Sequence, residues 1–285
     1  MLNPTQITID HFVDHLQKAY RRTYSNLEPE VCNIAGWTGR LALEIIANTN
    51  ALYHNLEHTV MVAQAGLAII EGKHLTEGGV TPQDWLHYII ALLCHDIGYV
   101  RGVLRRDQGY SYSTGIGDQT ISLPNGGTDI SMTPYHVDRS KQFVRERFGE
   151  AAMDITKEYV DAERVVSFIE MTRFPPPDEE AYADTVGYAG LTRAADFIGQ
   201  LGDPNYLRKA PALFYEFEET DSNKQLGYSS PADLRLAYAR FFWDVVSPYI
   251  PDALRYLEKT QEGKQWIANL YAHVFAAEHP DQINQ

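Results

Sequence analysis

The sequence predicts an all-α protein of one domain over residues 1–285. Apolar residues recur at helical spacing along most of the chain, and no alternating run is long enough for a convincing strand. A chain of this length can bury a substantial core. The predicted helices cover residues 6–22, 28–49, 55–71, 82–98, 137–148, 152–171, 179–202, 206–219, 231–247 and 251–277.

Two of these helices are apolar on every side. Neither residues 59–70 nor residues 85–94 include a charged side chain. A helix without a polar face is buried, so both should lie centrally in a helical bundle. The second helix leads directly into His95 and Asp96, whose burial is unfavourable unless a partner or a metal ion compensates it.

Composition and charge restrict the class of protein. The net charge of −14 argues against a nucleic-acid polymer as partner, although a small phosphate ester can bind where local cations reverse the field. With only Cys32 and Cys94, we expect no disulfide framework and a reducing compartment. No signal pattern and no run of about 18 apolar residues is present, so a cytoplasmic protein without a membrane partner is expected. The sequence leaves open whether the chain forms a homo-oligomer.

One segment, residues 107–134, interrupts the helical pattern. It is rich in Gly, Ser, Thr and Asp, and it includes two prolines and the pair Gly126-Gly127. A connection of this length in a compact domain is a functional lid or a surface insertion. The sequence favours neither interpretation.

Four residues on successive predicted helices are suited to bind a metal ion. They are His58, His95, Asp96 and Asp196. Imidazole and carboxylate are ordinary ligands of divalent transition metals such as Zn, Fe, Mn, Co or Ni. Asp196 follows two alanines, which permit close helix approach, but it could instead cap a helix or pair with Arg193.

His54 lies four residues before His58. On a helix this spacing places both side chains on one face, about one turn apart. One imidazole could then bind the metal while the other points into the cleft above it. The alternative is two polar residues near the N-terminus of a helix.

The order of these residues resembles the H…HD…D metal signature of the HD-domain phosphohydrolase superfamily. Tyr53-His54-Asn55 followed by His58-Thr59 is further similar to the motif of class I cyclic-nucleotide phosphodiesterases. The resemblance covers about residues 50–205. It implies an HD-domain helical bundle with a C-terminal helical extension, residues 206–285. It also implies that the second His of the motif binds metal and the first donates a proton to the leaving group.

Two positions depart from the phosphodiesterase pattern. Those enzymes have a histidine three residues after the Asp of the HD motif, where this chain has Tyr99. They also have a glutamine that binds the purine, where this chain has Tyr238. Metal chemistry is unaffected by these changes. The substrate therefore stays open among nucleoside monophosphates, cyclic nucleotides, alarmone-type nucleotides and small phosphonates.

The implied function is a metal-dependent phosphohydrolase, of phosphodiesterase or nucleotidase type, for a small phosphorylated substrate such as a nucleotide. A metal lowers the pKa of bound water to near 7, and Asp96 could bridge to a second metal such as Mg or Mn. His54 suits proton donation, because the ordinary pKa of histidine is near 6.5. One alternative is a non-catalytic metal-containing ligand-binding or signalling module. Another is an oxygenase-type di-iron site, which would need more carboxylate and histidine ligands than the sequence lets us place.

Four further residues are candidates for substrate binding. Arg101, Arg105 and Arg106 form a cationic cluster just after the HD pair, and the planar arginine fork suits phosphate oxygens. A solvated helix face would explain the same cluster. His136 could contact phosphate, bind a second metal, support a ligand or lie on the surface.

Overall fold

The computed structural model describes residues 2–124, 126–149 and 154–279 of the chain. Fourteen α-helices dominate these residues, which confirms the all-α prediction. They are α1 (Pro4–Tyr24), α2 (Pro29–Ile46), α3 (Leu56–Glu77), α4 (Pro82–Cys94), α5 (His136–Phe148), α6 (Asp154–Tyr159), α7 (Ala162–Glu170), α8 (Tyr188–Leu201), α9 (Tyr206–Glu219), α10 (Ser222–Leu226), α11 (Pro231–Leu236), α12 (Tyr238–Phe241), α13 (Pro251–Leu257) and α14 (Gln261–Glu278). The strands in these residues are β1 (Tyr112–Ser113) and β2 (Thr120–Ile121), an antiparallel pair.

The longest predicted helices are divided in the structure. Residues 251–277 form α13 and α14, because the Thr260 side chain caps the second helix by accepting a hydrogen bond from the Gly263 amide. The stretch 231–247 is divided into α11, α12 and a π-helix, Phe242–Val246. The prediction 152–171 is interrupted where Asp161 caps α7, and residues 152–153 lie outside the described residues. Apolar periodicity continues across such breaks, so it does not reveal them.

The two apolar helices are central, as predicted. Every residue from 85 to 94 in α4 is buried. Helix α3 packs most extensively against α8 and also contacts α4, α13 and α14. A Cβ atom at Gly199 of α8 would lie 2.5 Å from Cα of Val62 in α3, so the two helix backbones touch at this point. This approach brings the helix bearing His58 against the helix bearing Asp196.

The described part of residues 107–134 has structure of its own. Besides β1 and β2, it includes the 3₁₀ turn Asp129–Met132. Arg139 of α5, fully buried, holds its beginning: two guanidinium nitrogens bind the two oxygens of Asp107 at 3.1 and 2.9 Å. The same guanidinium donates to the carbonyl oxygens of Gly98, Val100 and Ser113.

Replacing Arg139 with methionine should lower the free energy of unfolding by about 3–5 kcal/mol. The substitution leaves the buried Asp107 carboxylate without its counter-ion, and breaking one side of a buried pair carries a cost of this size. Chemical denaturation measures it. Arg145→Met is the matched control on α5: its exposed pair with Glu163 should be worth below about 1 kcal/mol. Equal losses in both variants would contradict the assignment.

Two further features concern the described residues. None of their helices combines the length and apolar character needed to span a lipid bilayer. Cys32 and Cys94 are both buried and free.

Candidate metal centre

His58 lies in the first turn of α3, positioned by the cap of that helix. The Asn55 side chain accepts hydrogen bonds from the amides of Glu57 and His58, at 2.9 and 3.4 Å. Because Asn55 is the cap, His54 lies before the helix, and the expected spacing along one helix face does not apply. The turn nevertheless brings the two imidazole rings together, with their centroids 5.3 Å apart.

His95 and Asp96 lie where α4 ends and a 3₁₀ turn, Ile97–Tyr99, begins. The Nδ1 atom of His95 donates to the carbonyl oxygen of Leu92 at 2.8 Å, which leaves Nε2 to face the cluster. The Ser140 hydroxyl donates to the His95 carbonyl oxygen and accepts from the Gly98 amide, at 2.6 and 2.9 Å. This bridge fixes the turn that aims both side chains.

Asp196 lies in the interior of α8, so it is not a helix cap. It also does not pair with Arg193, whose guanidinium donates to the carbonyl oxygens of Tyr182 and Asp184. Its carboxylate faces the two histidines instead: Oδ1 lies 3.5 Å from Nε2 of His58 and 3.6 Å from Nε2 of His95.

The predicted ligands converge on one point. Oδ2 of Asp96 lies 3.3 Å from Nε2 of His58 and 3.2 Å from Nε2 of His95, which completes a four-atom cluster with Asp196 Oδ1. A regular tetrahedron of ligands about 2.1 Å from a central ion has edges of about 3.4 Å. The four separations between a histidine nitrogen and an aspartate oxygen, 3.2 to 3.6 Å, agree with this spacing. The structure therefore brings together the four residues that the sequence singled out.

The cluster fits a metal ion for a second reason. Nε2 of His95 and Oδ2 of Asp96 are buried, and neither has a hydrogen-bond partner among the described residues. Buried polar atoms nearly always form a hydrogen bond, and leaving them without one is unfavourable. A cation held by both atoms removes the penalty. Two imidazole nitrogens and two carboxylate oxygens suit Zn and the neighbouring transition metals.

The pKa shifts within the cluster indicate that its centre favours positive charge. Burial lowers the pKa of His95, but the carboxylates of Asp96 and Asp196 outweigh it and raise that pKa to about 9. Burial raises the pKa of Asp96, yet the charge of His95 and the adjacent imidazole of His58 hold it well below its usual value. Protons or a metal ion can supply that charge.

His54 is held by Glu216, a residue to which the sequence analysis assigned no role. Nδ1 of His54 lies 2.6 Å from one carboxylate oxygen, and the amides of Tyr53 and His54 donate to the other at 2.7 and 3.3 Å. Glu216 is 2% exposed. The signal in the sequence is an acidic residue one turn after Leu213, on the apolar face of α9.

The charge of this pair follows from its contacts. Burial lowers the pKa of His54, but the charge and hydrogen bond of Glu216 outweigh it, and the net pKa is raised. Burial raises the pKa of Glu216, and His54 with the two amides reverses this, so that its net pKa is lowered. The geometry therefore favours a protonated imidazole held beside the metal ligands, with its second nitrogen free to donate.

Comparison with known proteins gives the family. Residues 2–280 match the family model described as Npun_R2479-like. The chain belongs to the Npun_R2479-like family. A comparison with curated proteins found no match. All four candidate metal ligands, His54 and Glu216 lie within the matched residues of this Npun_R2479-like chain.

The Npun_R2479-like chain also brings His136 to the cluster. Its Nδ1 lies 2.7 Å from the carbonyl oxygen of Thr133, and Nε2 lies 3.9 Å from Oδ1 of Asp96. Burial lowers the pKa of His136, which favours the neutral imidazole. Its ring stacks on Tyr99, with centroids 4.3 Å apart, and Tyr99 lies 5.1 Å from the His54 ring. Tyr99 thus contacts both His54 and His136, which we term the outer histidines.

The three arginines of the Npun_R2479-like chain bind partners outside the metal cluster. The guanidinium of Arg101 pairs with Asp129, that of Arg105 donates to the Glu146 carbonyl oxygen, and that of Arg106 pairs with Asp118. Contact of these arginines with phosphate stays a prediction.

Proposed function

We propose that the protein is a metal-dependent phosphohydrolase that cleaves a phosphate mono- or diester of a nucleotide or similar small molecule. The observation that carries the proposal is the four-atom cluster of His58, His95, Asp96 and Asp196, with a further imidazole, His54, held beside it by a carboxylate. The resemblance of this order to the H…HD…D signature supports the same chemistry.

The four clustered residues would hold the metal ion. When bound, such an ion lowers the pKa of water and neutralises charge on phosphoryl oxygens. The protein supplies the rigid positions of the ligands: the Leu92 carbonyl orients His95, and the Asn55 cap orients the start of the helix that bears His58. Fixed ligands of this kind keep the reacting groups aligned.

His54 would supply the proton that the departing oxygen needs. Glu216 holds Nδ1, which leaves Nε2 to donate, and its negative charge raises the pKa of His54 and so favours the protonated imidazole. The His54 imidazole is mostly buried, but 18% of its side chain is exposed, so part of it is accessible from solvent. General acids placed in this way contribute typically 10²–10⁴-fold to rate, about the range expected here.

A second function is favoured by one observation. His136 adds an imidazole whose Nε2 faces Asp96, which supplies part of the extra ligation that an oxygenase-type di-iron site requires. His54 also has a ring nitrogen within 4.8 Å of ligand atoms of His58 and Asp96. This candidate predicts bound iron and uptake of oxygen, neither of which a phosphohydrolase requires.

Metal analysis followed by turnover tests the proposal. The purified full-length protein should contain about one or two transition-metal ions per chain and hydrolyse bis-p-nitrophenyl phosphate or a nucleotide ester. Chelation should abolish turnover, and the metal should restore it. Bound metal without hydrolysis of any mono- or diester would contradict the proposal and favour the non-catalytic module. Iron with oxygen uptake would favour the second function.

A further inference from the structure

The described residues contain two separate hydrophobic clusters. Nearly all buried apolar side chains belong to the larger one, which spans the helical core. The smaller cluster has Tyr99, Ile130 and Met132 at its centre. Its edge is formed by the partly buried side chains of Tyr112, Ile121 and Leu123. Such a small cluster stabilises its own segment and contributes little to the rest of the fold.

The segment that completes this cluster is residues 127–135, which we term the strap. It leads directly into His136, and its residue Thr133 provides the carbonyl oxygen that holds Nδ1 of His136. Ile130 and Met132 of the strap pack with Tyr99, whose ring contacts both His136 and His54. The strap thus holds His136 directly and packs on the Tyr99 ring that contacts His54.

One fastening of the strap lies on α9 and is exposed. Glu219 accepts hydrogen bonds from the amide and hydroxyl of Thr128, both at 2.8 Å, and from the Ser131 hydroxyl at 2.6 Å. Glu216, which holds His54, lies three residues earlier on the same helix. Helix α9 therefore holds both His54, through Glu216, and the strap, through Glu219.

The other fastening is Asp129. Its carboxylate binds Arg101 and accepts from the Thr49 hydroxyl at 2.9 Å, while its amide donates to the Asn50 side chain at 2.7 Å. Only 4% of the Asp129 side chain is exposed, whereas Arg101 is about one-third exposed. Because Asp129 lies on the strap, it moves into water when the strap opens, and water can then replace its partners. Opening therefore strands no deeply buried charge.

We infer that the strap opens and closes over the outer histidines as a separate unit, with Glu219 as the latch that holds it shut. Opening disrupts the small cluster and the contacts of Glu219 and Asp129, whereas the main core stays folded. The inference rests on the proposed function only where it assigns the opening to entry of a small phosphorylated substrate. Movement of the strap is a property of the chain itself.

Native-state hydrogen exchange of the full-length protein tests the movement without any assay of activity. Amides of the strap should exchange faster than those of α3 and α4, with little dependence on denaturant, because a local opening exposes little surface. Glu219→Ala should accelerate their exchange by about tenfold, because exposed charge-assisted hydrogen bonds each contribute modestly to the stability of the closed strap. The matched control Glu258→Ala, an exposed glutamate between α13 and α14, should leave it unchanged.

Histidine modification tests whether the opening uncovers the site. In Glu219→Ala, diethyl pyrocarbonate should modify His54 and His136 faster than in the parent protein, while exposed His11 keeps its rate. The inference would be overturned if strap amides exchanged only when the main core unfolds. It would also be overturned if Glu219→Ala accelerated exchange equally in α3 and α4. Unchanged modification of both histidines alongside faster strap exchange would overturn the strap as a cover. A failed phosphohydrolase assay alone affects the proposed function and not this result.

Discussion

Asp196→Ala should abolish metal binding and all activity that depends on it. Asp196 supplies one of four converging atoms, and its removal leaves two imidazoles and a single carboxylate to balance a divalent ion. Loss of a group that only supports a ligand typically weakens metal binding by about 10–100-fold, so loss of a ligand should exceed this. Metal content after gel filtration, together with a competition titration against a chromogenic chelator, measures the change.

The matched control for this experiment is Glu57→Ala. Glu57 precedes a metal ligand directly in sequence, but its carboxylate pairs with Lys209 at 2.8 Å. This variant should keep its metal, which separates loss of a ligand from loss of a nearby negative charge. A circular dichroism spectrum unchanged in both variants establishes that each still folds. Full metal occupancy in Asp196→Ala would remove this residue from the site.

His54→Ala should retain the metal and lose turnover by roughly 10²–10⁴-fold, the usual contribution of a general acid. The imidazole lies outside the four-atom cluster and is held by Glu216, so its removal should leave the cluster intact. Steady-state hydrolysis measured beside metal content distinguishes the two effects. Loss of metal in this variant would make His54 a ligand instead of a proton donor.

The leaving group provides a sharper test of the same role. A nitrophenolate departs without a proton, whereas an alkoxide needs one, so His54→Ala should impair alkyl esters far more than nitrophenyl esters. Equal losses on both substrates would exclude proton donation by His54.

Glu216→Gln predicts a shift in the pH profile. Glu216 raises the pKa of His54 against the lowering effect of burial, so its neutralisation should lower that pKa. Activity that needs protonated His54 should then decline at lower pH than in the parent protein, with less change on the acidic side. A profile that keeps its alkaline limit would show that Glu216 acts only in folding.

The sequence by itself determined the helical class, the two central helices and the four candidate metal ligands. Apolar periodicity reports burial of a helix face directly, and the uncharged stretches 59–70 and 85–94 left no polar face for solvent. His95 and Asp96 at the end of such a helix signalled an ion, because an isolated buried pair of this kind is otherwise unfavourable. This reasoning needs only local sequence.

Tertiary structure decided everything that depends on residues distant in the chain. Glu216 reaches His54 across 162 positions, and no local pattern joins an acid on α9 to a turn before α3. Arg139 and Asp107 likewise find each other through packing, which gives order to a segment that composition alone left open between lid and insertion. Helix breaks at Asp161 and Thr260 depend on side-chain caps that periodicity does not record. Close contact between chain segments, set by packing, is what converts separate polar residues into a site.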